Sequence, residues 1–179
     1  MKHVEYKIFT IFQFEDEERW LNEKSAKGEQ LTDVGVCRYV FEDGEPGKYI
    51  YRLEMLENFP NHYKSREYLK FLEETGVEHI GSVLKWVYLR KKASDGPFDI
   101  YSDIDSKIKQ YERIINLANL LVLTQLLVSI PNVICTLFGN TFNRVYLINL
   151  IVAAIFYIAN RSLKDKVNKL KKEKIYREW

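Results

Sequence analysis

Three histidines, two cysteines and one run of acids are the residues of this chain best suited to chemistry. His3, His62 and His79 stand apart from one another, and neither HExxH nor CxxC occurs, so the spacing offers no zinc site. Cys37 and Cys135 are too few for a disulfide scaffold, and no disulfide is expected. The run Glu15-Asp16-Glu17-Glu18 could ligate a cation. At the start of a predicted helix it is more simply a set of carboxylates favoured by the helix dipole. GxSxG, Walker A and GxGxxG are all absent from the sequence, so no catalytic residue, metal or cofactor is predicted and the chain does not read as an enzyme. The tyrosine-rich segment 48–56 (KYIYRLEML) invites comparison with RNA-binding sheets. It lacks their glycine–aromatic signature, and residues 1–113 carry 18 Lys/Arg against 22 Asp/Glu, a balance that repels phosphate. No direct nucleic-acid binding is expected.

The elements that would carry these residues follow from periodicity and turn chemistry. Residues 4–14 are rich in β-branched and aromatic side chains and read as a strand. Residues 15–27 read as a helix stopped by Gly28, and residues 31–41 as a second strand. Asp43-Gly44-Glu45-Pro46-Gly47 reads as a hairpin connection to a third strand at 48–56. A second helix is predicted over 65–75 with Ser65 as N-cap and Gly76 after its last turn. A fourth strand falls within 80–89. This order predicts an α+β, ferredoxin-like βαββαβ domain over residues 1–93, with both helices on one face of an antiparallel sheet. Both alternating sets of the strands are apolar, which marks the other face as covered by a second copy, another protein or a ligand. Phe9, Ile11, Val34, Val36 and Val40 are the candidate interaction face.

Beyond a linker and juxtamembrane helix at 94–113, the composition changes. Residues 114–143 contain no charge, and about 20 apolar residues suffice to cross ~30 Å of hydrocarbon. Residues 114–138 and 142–160 are the two predicted spans, joined by an external turn at 139–143. Arg144 lies beside the turn, where its head can reach the interface. Tyr146 and Tyr157 lie near the ends of the second span. Asn116, Asn119, Thr124, Gln125, Ser129, Asn132 and Asn149 are read as interhelical hydrogen-bonding groups rather than as a polar pathway. Residues 161–179 form a tail with eight basic and three acidic residues. Basic residues flank the hairpin on one side, so the positive-inside rule predicts a cell-membrane protein of two spans with both termini cytoplasmic. Residues after Met1 show no continuous apolar core, so no signal peptide is expected. Ser102 and Asp105 read as a capping box. Ile104, Ile108 and Tyr111 then recur at helical spacing, as do Leu163, Val167 and Leu170. Antiparallel geometry would pair Tyr111 with Leu163, Ile108 with Val167 and Ile104 with Leu170 as a packed stalk. The competing arrangement lays the tail on the anionic inner leaflet.

Several strings are more specific than these patterns: FQFEDEERWLNEKSAKG (12–28), YVFEDGEPGKYIYRLEML (39–56), FLEETGVEHIGS (71–82), KWVYLRKK (85–92) and DGPFDIYSDIDSKI (95–108). Together they resemble the DUF2812 family, a group of unknown function from Gram-positive bacteria often carrying a C-terminal hydrophobic hairpin. The resemblance covers about the first 108 residues. It departs from the family pattern at Glu29, where an aromatic is associated with the position after Gly28. The family's association with PadR-like transcriptional regulators implies a regulatory circuit and assigns no catalytic residue. Two functions follow as expectations. The first is a membrane-tethered cytoplasmic interaction or sensing module that associates with itself or with a protein partner. The alternative is a small-molecule-binding accessory subunit of a membrane transport assembly.

Overall fold

The computed structural model describes residues 1–101, 103–138 and 145–178 and divides the chain into two units, Met1–Ser102 and Asp103–Trp179. In the first unit β1 (Lys2–Tyr6), α1 (Phe14–Ala26), β2 (Glu29–Gly35) and β3 (Arg38–Asp43) are followed by β4 (Tyr49–Met55), α2 (Tyr63–Glu74), β5 (Val77–Val83) and β6 (Trp86–Lys92). Strand, helix and hairpin thus occur twice in succession. Each set of strands makes its own antiparallel sheet with the last strand central, in the orders β1-β3-β2 and β4-β6-β5. Both hairpins carry a register shift at the same place, between Leu31 and Asp33 in one and between His79 and Gly81 in the other.

The α+β class stands, but the single ferredoxin-like sheet does not. Two hairpins account for the difference. The predicted strand 31–41 turns back at Val36-Cys37, between the paired residues Gly35 and Arg38, and the predicted fourth strand turns back at Leu84-Lys85, between Val83 and Trp86. A two-residue hairpin turn needs positive φ. Here Cys37 and Leu84 supply it, each at 56°, so neither turn announces itself through Asn or Gly. The first strand is also shorter than predicted and ends at Tyr6. Residues 43–47 link the first sheet to the second rather than closing a hairpin. That link is held by Gly44 N–H to Gly28 O (2.7 Å) and Gly47 N–H to Ser25 O (2.7 Å). Gly28 has φ +89°, and a Cβ there would stand 2.8 Å from Gly44 O, so only glycine fits.

Two cores result. Leu21 of α1, Leu31, Val34, Tyr39 and Phe41 of the first sheet, and Tyr51, Leu53 and Tyr88 of the second are buried together. Leu69 and Leu72 of α2 cover the opposite face of the second sheet, where Val77, Val87 and Leu89 are buried with Leu56 and Phe98. The apolar residues that face inward from the strands are therefore covered within the chain, whereas Val4, Tyr6, Ile8 and Val36 stand exposed. Phe98 lies beyond a short 3-10 turn at Ala93–Asp95 and belongs to this core, so the folded unit extends past residue 93. The N-cap of α2 is His62, whose side chain accepts from Lys64 N–H. The predicted cap Ser65 is buried within the first turn and donates to Asn58 O.

The second unit is an antiparallel pair, α3 (Ile104–Phe138) and α4 (Val145–Glu178), each about 50 Å long. Both are long and apolar enough to cross a membrane. Ser102 of the expected capping box, the turn at 139–143, Arg144 and the side chains of Asn132 and Tyr146 lie outside the described residues. Asp103 caps α3, accepting from Ser106 N–H (2.6 Å) and Ser106 Oγ (3.1 Å).

Candidate functional site

Helix α1 begins with Phe14 and places Glu17, Leu21 and Ser25 on one buried stripe at helical spacing. Glu17 lies where an apolar residue is usual. Its carboxylate accepts two hydrogen bonds of 2.6 Å, one from the Tyr39 hydroxyl on β3 and one from the Tyr88 hydroxyl on β6. The three side chains join α1 and the two sheets at one point, and all three are buried. Burial pushes the Glu17 pKa above the ordinary carboxylate value, against the opposing effect of the two phenols. Both phenols are raised in turn, by burial and by the carboxylate they face. Aromatic rings surround the node. Trp20 meets Tyr39 edge-on with centroids 4.9 Å apart, Phe9 meets both, and Phe14 packs on Trp86 at 5.4 Å.

The next residues along α1 finish the exposed edge of β4. Asn22 Nδ2 donates to Tyr51 O (3.0 Å), Asn22 Oδ1 accepts from Tyr51 N–H (2.9 Å), and Glu18 accepts from Leu53 N–H (3.1 Å). An unpaired strand edge is thus capped by helix side chains. Arg52 lies 3.2 Å from Glu18. Below it Ser25, Gln30 and Tyr51 form a buried polar cluster. Ser25 Oγ and the Tyr51 hydroxyl both approach Gln30 Oε1, at 3.1 and 3.2 Å, and the Tyr51 oxygen accepts from Leu31 N–H at 2.9 Å. Arg90 of β6 crosses between the sheets to donate to Leu31 O (3.0 Å), stacks over the Tyr49 ring at 4.0 Å and pairs with Glu78 at 2.7 Å. The two sheets approach closely where a Cβ on Gly81 would meet Val34 Cγ1 at 2.9 Å.

His3, Glu5 and Glu29 are grouped closely enough to hold a metal ion. The ammonium of Lys24 fills that role already, bonding Glu29 at 2.8 Å and Glu5 as well. His3 also bonds Glu29 at 3.0 Å and stacks on Phe41. The group fits an internal ion pair better than a metal centre. His79 is likewise engaged locally, with Gly81 O and Ser82 Oγ.

The five candidate interaction residues do not share a face. Val34 is buried between the sheets, Phe9 packs on Trp20 and Tyr39, and Ile11 is half-buried. Val40 is buried on the side of β3 opposite Tyr39 and Phe41, whereas Val36 stands exposed in its turn. The six stalk residues lie on the paired helices: Ile108, Tyr111, Leu163 and Val167 are buried, Ile104 and Leu170 half-buried. Asn160 Nδ2 donates to Asn119 Oδ1 (2.7 Å), and Lys174 and Lys171 pair with Asp105 (2.7 Å) and Glu112 (2.8 Å). These contacts set the register about one helical turn further along α4 than the spacing alone suggested. Glu17, the residue that sequence reasoning missed, was visible as an acid at an apolar-face position of α1, four residues before Leu21.

The pattern of a family described as a protein of unknown function (DUF2812) matches residues 13–124, the span that includes α1, α2, strands β2 to β6 and the start of α3. No curated protein and no solved structure matches the chain.

Proposed function

The chain belongs to the DUF2812 family of unknown function, and we propose that this protein is a membrane-tethered interaction or sensing module whose double-sheet unit and basic tail lie in the cytoplasm. One observation carries the tether. Leu123, Leu127, Ile130 and Ile134 of α3 and Ile148, Ile151, Ile155 and Ile158 of α4 are all exposed, on helices whose mutual packing already buries another face. Water does not suit so continuous a branched surface, and lipid does. The Lys171–Glu112 and Lys174–Asp105 pairs support a helical stalk that continues past the spans. An interaction role fits a domain whose polar side chains are committed to joining its own elements rather than to an open reaction site. A sensing role fits the regulatory setting that the family resemblance implies.

The test is fractionation. The full chain should remain with membranes after an alkaline carbonate wash, while residues 1–102 expressed alone should be recovered in the soluble fraction. Release of the full chain by carbonate would overturn the tether. Recovery of a defined regulator with gently solubilised full chain, lost when the double-sheet unit is removed, would establish the interaction role.

A further inference from the structure

Helix α3 carries a second seam besides the one that meets α4. Asn116, Asn119, Leu123, Leu126, Ile130 and Val133 recur at alternating intervals of three and four, the spacing of a left-handed helix pair. The first five are exposed and Val133 is partly so; those five centre roughly 90° around α3 from the buried residues Ile115, Ala118 and Ser129, and Val133 drifts back toward them. We propose that this seam is the contact surface for a second copy of the chain, joined α3 to α3 within the membrane. The proposal rests on the membrane reading above and names the partner and the surface.

The occupant follows from symmetry and chemistry. Copies inserted in the same sense present α3 in parallel, so a two-fold axis along the membrane normal sets each residue against itself at equal depth. Only a self-complementary polar group gains from that arrangement, and a primary amide is one, since it both donates and accepts. Asn116 has no side-chain partner among the described residues. Asn119 is held by Asn160, which donates to its Oδ1 at 2.7 Å; this fixes the amide and leaves the Asn119 N–H groups without a partner among the described residues. In an apolar surround, asparagines exposed on a spanning helix associate with those of a neighbour. Above them Leu123, Leu126 and Ile130 supply apolar packing along the same stripe, with no charged residue to oppose it. Val128 and Cys135, also exposed, lie on the far side of α3 from this seam.

Cysteine crosslinking in native membranes tests the contact, using the full chain with Cys37→Ser and Cys135→Ala. Leu123→Cys and Ile130→Cys should each give a crosslinked dimer on mild oxidation, while Val128→Cys should not. Adding Asn116→Ala and Asn119→Ala to Leu123→Cys should lower dimerisation roughly three- to tenfold, the range expected for one or two interhelical amide contacts. A chain that resists carbonate extraction yet crosslinks at neither seam position, or equally at position 128, overturns the proposal alone. An unchanged yield in the asparagine variant overturns the role given to the amides. A chain released by carbonate overturns both this contact and the membrane reading.

Discussion

A buried carboxylate shared by two phenols makes Glu17 the most consequential residue of the double-sheet unit. Its folded pKa is raised above the ordinary value of 4.5 by burial, so the folded chain holds that proton more tightly than the unfolded chain. The associated stability is fully present below the ordinary pKa and is lost as pH rises through the raised value. Glu17→Gln should therefore gain on the native protein as pH climbs from about 4.5 toward neutrality, read as a rising difference in urea midpoint on residues 1–102. Glu17→Leu should cost about 2–4 kcal/mol, because it strands two buried hydroxyls. An equal pH dependence for Glu17→Gln and native protein would show that Glu17 does not titrate in that window. Gly81 acts by absence. Gly81→Ala forces a Cβ to within 2.9 Å of Val34 Cγ1 and should cost about 1–3 kcal/mol. Val34→Ala in the same chain should return part of that loss, so a double-mutant cycle that is strictly additive would contradict the contact.

Among the elements, α1 does the most joining. Its Asn22 satisfies both the N–H and the C=O of Tyr51 at the edge of β4, standing in for a neighbouring strand. Asn22→Ala should cost about 1–3 kcal/mol and speed hydrogen exchange at the Tyr51 amide more than at β6 amides. Uniform acceleration across the sheet would argue that the edge cap is not local. Much at this scale was legible in the sequence. Both helices of the first unit were placed within two residues of their observed ends, because Gly28 and Gly76 mark their termini and their apolar stripes are regular. The sheets were not legible, because Cys37 and Leu84 make turns at positive φ with residue types that normally avoid it. Two long strands were read where two hairpins stand, and the repeated unit vanished with them. Part of the apolar excess on the strands has an internal cause, since the two sheets bury Leu31, Val34, Tyr39, Phe41, Tyr51 and Leu53 together, while Val4, Tyr6 and Val36 stay exposed. The register of α3 on α4 was misjudged by a turn, since apolar spacing alone fits several registers and the Asn119–Asn160 pair distinguishes them.

For the whole molecule, the position of Phe98 sets where the chain can be cut. Residues 1–102 keep its ring against Leu69, Leu72 and Leu89 and should unfold cooperatively, whereas residues 1–93 lose it. Removing a buried phenylalanine costs about 3–5 kcal/mol, a large share of the stability of a domain this size, so the shorter fragment should bind a hydrophobic dye and show a broadened thermal transition. Equal stability of the two fragments would place the boundary earlier. The central claim is the tether and its direction, and thiol labelling in intact cells addresses it most directly. In a chain with Cys37→Ser and Cys135→Ala, single cysteines are introduced by Asn140→Cys, between α3 and α4, and by Ser162→Cys, after the second apolar run. A membrane-impermeant maleimide applied from outside should label the first and spare the second until the cells are opened. Labelling of Ser162→Cys with protection of Asn140→Cys would reverse the topology, and protection of both in cells together with ready labelling in the soluble fraction would contradict the tether itself.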